Sequence, residues 1–165
     1  KYIEREQLVE VIKLNLSGAR GGMSKYFTLT KQGYEAISKK PPKKSGGTGA
    51  MHYFLEKYMQ KSLSEKGFTD LVIEKNIGGK RIDLFGKYDG LKVGIEICCS
   101  TIKTEFRNVR KDIDKCDVLI IVTPDKKTKE KLVKELFKKI KPDEKLKICV
   151  VHELLNDPEK IINKS

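Results

Sequence analysis

The chain has no tryptophan, few aromatic residues and no long apolar run, and these shortages exclude several classes of protein. Its longest apolar run, Val118–Val122, falls far short of the ~20 residues that a membrane-spanning helix needs. The first residues do not have the pattern of a signal peptide. The four cysteines have neither disulfide-framework nor zinc-site spacing, and Cys98 and Cys99 are adjacent. We therefore expect a soluble, cytoplasmic protein without membrane association.

Charge is plentiful and unbalanced. The formal net charge is +12, mainly from lysines that gather at residues 39–44 and 125–147. Such a surface favours a polyanionic partner such as DNA, because basic groups release counterions from phosphates. The same lysines could instead only solvate exposed helices. Both interpretations stay open on charge alone.

The sequence predicts a small N-terminal segment, residues 1–40, ahead of a larger domain. Apolar residues at helical spacing (Leu8, Val9, Ile12, Leu16) predict a helix, and KYFTLTKQGYEAI predicts a short strand that runs into another helix. The motif Y-F-x-L-T-x-x-G resembles the wing strand and closing helix of a winged-helix domain. Residues 41–47 are rich in lysine and glycine and predict a linker.

Residues 48–165 predict an α/β domain in which a mixed central sheet is flanked by helices. A helix capped by Thr48 and ended by Gly67 comes first. Three strands follow in LVIEK, KRIDLFG and LKVGIEICC, joined by short turns. An amphipathic helix is predicted next, in TIKTEFRNVRKDIDK. It is followed by a strand buried on both faces, DVLIIVT. A lysine-rich helix is predicted at residues 126–140, and the last strand in LKICVV.

The third strand of this meander carries an isolated glutamate. Side chains alternate along a strand, so the apolar set Val93, Ile95, Ile97 and Cys99 predicts one face, and Glu96 lies on the other beside Cys98. Gly94 would leave room on that face. Asp83, on the neighbouring strand, also points away from its apolar neighbours. Two carboxylates that face the same side would repel each other unless a cation joins them, so Asp83 and Glu96 predict a divalent metal site.

These residues resemble the restriction-endonuclease-like superfamily, the PD-(D/E)XK nucleases and the Holliday-junction resolvases. The resemblance implies that Glu56 is the glutamate of the first helix, and that Asp83 and Glu96 hold Mg²⁺ or Mn²⁺. Cys98 stands where the family has its catalytic lysine, and a thiol neither activates water well nor binds a hard cation.

Several residues could supply the missing positive charge, because some members of the superfamily place the lysine on the following helix. Lys111 is the candidate for that role, with Asn108 one turn away. His52, one turn from Glu56, is interpreted as a polar flank residue or as a hydrogen-bond donor to a phosphate, rather than as a metal ligand. The predicted nucleic-acid-binding residues are His52, Lys80, Arg81, Arg107, Asn108 and Arg110.

A narrower resemblance is to nuclease-like tails of DNA-translocating ATPases, where an asparagine and a lysine recur on this helix. It implies an ATPase region elsewhere in a longer protein. Three functions stay open: a DNA-engaging module with a degenerate catalytic site, an active Mg²⁺- or Mn²⁺-dependent endonuclease with a relocated lysine, or a non-catalytic winged-helix regulator or protein-interaction domain. The superfamily also suggests a homodimer.

Overall fold

A computed structural model of the chain describes residues 7–19, 22–41, 49–99 and 102–163; for Lys80 and residues 102–106 it describes the backbone alone. The strands are β1 (Val9–Leu14), β2 (Ser24–Leu29), β3 (Thr69–Ile77), β4 (Lys80–Tyr88), β5 (Leu91–Ile97), β6 (Val118–Thr123) and β7 (Leu146–Val150). The helices are α1 (Lys31–Ala36), α2 (Ala50–Ser64), α3 (Ile102–Asp112, continued by a 3₁₀ turn, Ile113–Lys115), α4 (Lys126–Leu136), α5 (Val151–Asn156) and α6 (Pro158–Ile162).

Five strands form a mixed sheet in the order β3-β4-β5-β6-β7. The first three make an antiparallel meander, and β6 and β7 join parallel to β5 through the crossover helices α3 and α4. Tight turns close the meander at Gly78 and Gly79 and at Asp89 and Gly90, all with positive φ. This confirms the predicted mixed α/β sheet and its order of elements.

Helices cover both faces of the sheet. Helices α2, α5 and α6 pack on one face, in a core that includes Leu55, Met59, Leu84 and Ile95. Helices α3 and α4 pack on the other face; the residues buried there are Cys98, Val109, Cys116, Leu119, Ile121, Leu132, Leu136 and Leu146. Every residue of β6 is buried, as predicted for a strand covered on both sides.

The helix predicted for residues 8–16 is wrong, because this segment forms strand β1. It pairs antiparallel with β2, with Ile12 opposite Tyr26. The buried residues Ile12, Leu14 and Leu16 recur every second position, the period of a strand. They belong to the same core cluster as the main sheet. The predicted strand-to-helix step from β2 into α1 is confirmed.

The N-cap of α2 and the C-terminal helices differ from the sequence prediction. Gly49 is the N-cap of α2 and offers no side-chain cap, and Thr48, the predicted cap, lies outside the described residues. The C-terminal helices α5 and α6 were not predicted; Asp157 caps α6, and Pro158 occupies its first turn. Within the described ranges, no helix has both the length and the apolar character of a membrane span.

Candidate metal centre

Helix α2 and strand β4 bring three ligand-bearing side chains together. His52 and Glu56 lie one turn apart on α2, with His52 Nδ1 3.5 Å from Glu56 Oε1. Asp83 of β4 approaches the other side of the imidazole, with its Oδ2 3.0 Å from His52 Nε2. One ligand atom from each residue lies within 4.8 Å of the other two. This His52–Glu56–Asp83 group is therefore a candidate for holding one metal ion.

The end of the β4–β5 ladder fixes the position of Asp83. The last paired residues are Leu84 and Ile95. Beyond them, the backbone N–H of Ile97 donates to Asp83 Oδ2 at 2.8 Å. The carboxylate is thereby held at the end of β5, beside α2.

The group is sheltered from solvent but not sealed. The side chains of His52 and Glu56 are 11% and 4% exposed, and Asp83 is the most open at 20%. Among the described residues, no hydrogen-bond donor reaches Glu56 Oε1. A buried carboxylate without donors is costly to ionise, and a bound cation would remove that cost.

Burial raises the pKa of Glu56 from 4.5 to about 7. The negative charges of Asp83 and Glu74 add to the rise, whereas His52 and Lys57 oppose it. Near neutral pH this carboxyl group is therefore protonated in part of the molecules. A divalent cation would compete with that proton, so metal affinity should increase with pH.

The donor set limits which ions fit. Two carboxylate oxygens and one imidazole nitrogen suit Mn²⁺, Fe²⁺ or Zn²⁺, and they suit Mg²⁺ less well because Mg²⁺ prefers oxygen ligands alone. Three protein ligands leave further coordination positions for water or a substrate oxygen. When bound, such an ion would supply Lewis-acid polarisation of a phosphate or activation of a water molecule.

Glu96 is not a member of the His52–Glu56–Asp83 group. It is 3% exposed, and its Oε2 accepts a hydrogen bond of 3.2 Å from Asn108 Nδ2 on α3. Of the described residues, the group with metal-ligand spacing contains Asp83 with His52 and Glu56, and not with Glu96. The sequence paired Asp83 with Glu96 because strict alternation puts both on one face. The β4–β5 ladder ends at Leu84 and Ile95, one residue short of each carboxylate, and a metal held by Asp83 and Glu96 together stays a prediction.

The predicted replacement lysine is engaged by the protein itself. Lys111 Nζ donates to the Arg81 carbonyl at 3.1 Å and lies 3.3 Å from Oδ2 of the fully buried Asp112. Arg81 is half exposed, 3.8 Å from Glu74.

The other predicted nucleic-acid-binding residues are spread along α3 and β4. Arg107 and Arg110 are exposed on α3, and the side chain of Lys80 lies outside the described residues. Asn108 donates to Glu96 and so faces that carboxylate. The structure therefore brings only His52 of the predicted nucleic-acid-binding residues into the His52–Glu56–Asp83 group.

Cys98, at the position of the family lysine, belongs to the core. It is 1% exposed and packs in the cluster that contains Leu119 and Ile121. The room predicted beside Gly94 is filled: a Cβ there would lie 3.2 Å from Cys116 Sγ and 3.3 Å from Leu119 Cδ1. A cationic side chain at position 98 would therefore be buried rather than presented to a substrate.

Comparison with known proteins adds no identification: no protein-family model matches the chain, and no curated protein matches it significantly. The site residue that sequence reasoning undervalued is His52. Its signal was its four-residue spacing from Glu56, which sets both side chains on one flank of α2.

Proposed function

We propose that this chain is a nucleic-acid-engaging domain whose His52–Glu56–Asp83 group binds one divalent cation, Mn²⁺ or Mg²⁺, and through it a phosphate of DNA. The observation that carries the proposal is the convergence of three ligand atoms within 4.8 Å from a helix and a strand of one core. Of these two ions, the imidazole ligand favours Mn²⁺.

Electrostatics explains why a basic protein would need a metal at this place. Two carboxylates would repel a phosphate, although the chain as a whole has a net charge of +12. A divalent cation reverses the local sign, so that the carboxylates hold the ion and the ion holds the phosphate. The surrounding lysines would then contribute the sequence-independent, salt-sensitive part of the affinity.

The surroundings of position 98 and Lys111 favour a domain that binds DNA and hydrolyses it weakly or not at all. Position 98 carries a buried thiol, and Lys111 is held by the Arg81 carbonyl and Asp112. An active endonuclease is the second candidate, because Lys111 contacts β4 only two residues from Asp83. A restriction-endonuclease-like identity, which the order of elements fits, and a place in a larger DNA-processing protein are part of the same proposal.

Metal-dependent DNA binding tests the proposal. The assay is the fluorescence anisotropy of labelled duplex and branched DNA, with Mn²⁺ or with EDTA, for wild type and Asp83→Asn. The asparagine keeps the size of the side chain and an oxygen that can accept from Ile97 N–H, but it removes the ligand charge. Asp70→Asn is the matched control, since Asp70 is an exposed strand aspartate paired with Lys87.

We expect Mn²⁺ to tighten DNA binding of wild type and Asp70→Asn about tenfold or more, and to leave Asp83→Asn unchanged. DNA binding that ignores Mn²⁺ in every variant would contradict the proposal, and no DNA binding at all would favour the protein-interaction alternative. Supercoiled plasmid incubated in parallel separates the two candidates, because cleavage that Lys111→Met abolishes would indicate the active endonuclease.

A further inference from the structure

Three aromatic rings meet where the β1–β2 hairpin contacts α2. Tyr26 comes from β2, and Phe54 and Tyr58 lie one turn apart on α2. The ring centroids of Tyr26 and Phe54 are 4.8 Å apart, and those of Phe54 and Tyr58 are 5.7 Å apart with an interplanar angle of 20°. The Tyr26–Tyr58 separation is 6.3 Å. Phe54 and Tyr58 thus form a stacked pair braced by Tyr26.

The inner and outer rings of this cluster differ in their surroundings. Tyr26 and Phe54 pack against the main core, where their structural role is to hold the β1–β2 hairpin on α2. Tyr58 is the most exposed of the three, at 37%. It contacts both other rings and still keeps part of its surface open to water.

Positive charge accompanies the exposed ring. Lys61 follows Tyr58 by three residues and therefore lies beside it on the surface of α2. Lys57 directly precedes Tyr58 and projects about 100° away from it around the helix; both lysines are exposed. Lys57 Nζ lies 6.0 Å from the ring centroid of Tyr53. One cation, Lys61, therefore borders Tyr58, and a second, Lys57, lies within one turn of it on the exposed surface of α2.

We propose that Tyr58 is a stacking site for an unpaired base of single-stranded nucleic acid, with Lys57 and Lys61 binding the adjacent phosphates. A solvent-exposed ring bordered by cations is the combination that single-strand binders use, because every base has a face that can stack. An intact duplex keeps its base faces covered. The two lysines favour this ligand over an apolar protein partner.

This inference rests on the proposed binding of nucleic acid but not on the metal centre. With 3.6 residues per helical turn, Phe54 and Tyr58 lie on the side of α2 roughly opposite His52 and Glu56. Binding at Tyr58 should therefore persist in EDTA. The two sites can be tested separately in the same protein.

The test measures binding of labelled oligo(dT) in EDTA by fluorescence anisotropy, beside an abasic oligonucleotide of equal length that offers phosphates without bases. The variants are Tyr58→Ala and Tyr58→Phe. Phe137→Ala is the matched control, because Phe137 is 39% exposed at the end of α4 and is remote in sequence from the cluster. The chain has no tryptophan but six tyrosines, so the part of the tyrosine quenching that is lost in Tyr58→Phe reports stacking on Tyr58.

We expect Tyr58→Ala to weaken oligo(dT) binding about tenfold, with little change for the abasic strand, for Tyr58→Phe or for Phe137→Ala. The double variant Lys57→Gln, Lys61→Gln should reduce the slope of log K against log salt concentration by the equivalent of about one to two phosphate contacts. This variant keeps the test valid if Tyr58→Ala fails to fold. An unchanged affinity in Tyr58→Ala, or an equal loss on the abasic strand, would overturn the inference. Metal-dependent binding of duplex DNA alongside that result would leave the proposed function intact.

Discussion

Glu56→Gln should stabilise the protein in the absence of metal, because the carboxylate of Glu56 is buried and, among the described residues, its Oε1 has no hydrogen-bond donor. A pKa raised from 4.5 to about 7 corresponds to roughly 3 kcal/mol of unfavourable free energy for the ionised form in the folded state. The raised pKa means that the folded state holds the proton more tightly than the unfolded state. The contribution of Glu56 to wild-type stability is therefore greatest below pH 4.5 and is lost as the pH rises through about 7.

Glutamine removes the charge and nearly keeps the shape of the side chain, so the gain in the free energy of unfolding should be largest at pH 8. We expect about 1–3 kcal/mol there, or a rise of roughly 3–9 °C in the melting temperature, shrinking towards zero at pH 5. Circular dichroism melts in EDTA at both pH values measure it. Glu10→Gln, at an exposed position of β1, is the control and should change little. A variant that is no more stable than wild type at pH 8, or equally stabilised at both pH values, would refute the reasoning.

Three further substitutions test the contacts around the site. Cys98→Lys should lower the free energy of unfolding by about 3 kcal/mol or more in urea titrations and should not create nuclease activity, because the new charge would be buried; folding as stable as wild type would contradict this. Lys111→Met should cost about 1–3 kcal/mol, since the buried Asp112 loses one of its two lysine partners; a loss of function without loss of stability would instead favour a catalytic lysine. Gly94→Ala should cost about 1–3 kcal/mol by crowding Cys116 Sγ, and an unchanged urea midpoint would show that the strands can shift to accept it.

The main sheet was predictable because its signals are local and agree with one another. Turn residues separate the first three strands, and the continuous apolar run of β6 matches a strand buried on both sides. Segment 8–16 was not predictable in the same way, since its apolar residues fit both a helical and a strand period. Pairing with β2 decides the outcome, and one segment's own sequence does not contain that information.

The site was predictable only in part. The spacing of His52 and Glu56 placed them on one flank of α2 from sequence alone. Asp83 was identified as a candidate ligand, but its neighbours depend on where the β4–β5 ladder ends, which is a property of the assembled sheet. Gly94 likewise suggested open space on a face that α3 and α4 in fact cover.

Calorimetric titration of Mn²⁺ at pH 8 into four proteins tests the central claim most directly: wild type, His52→Ala, Asp83→Ala and Glu96→Gln. The His52–Glu56–Asp83 group predicts one ion per chain for wild type and for Glu96→Gln, and loss of binding in His52→Ala and Asp83→Ala. Melting temperatures recorded with and without Mn²⁺ confirm that each variant is folded. If Glu96→Gln abolished binding while His52→Ala kept it, the ion would be held by the Asp83 and Glu96 pair instead, and the proposed His52–Glu56–Asp83 centre would be wrong.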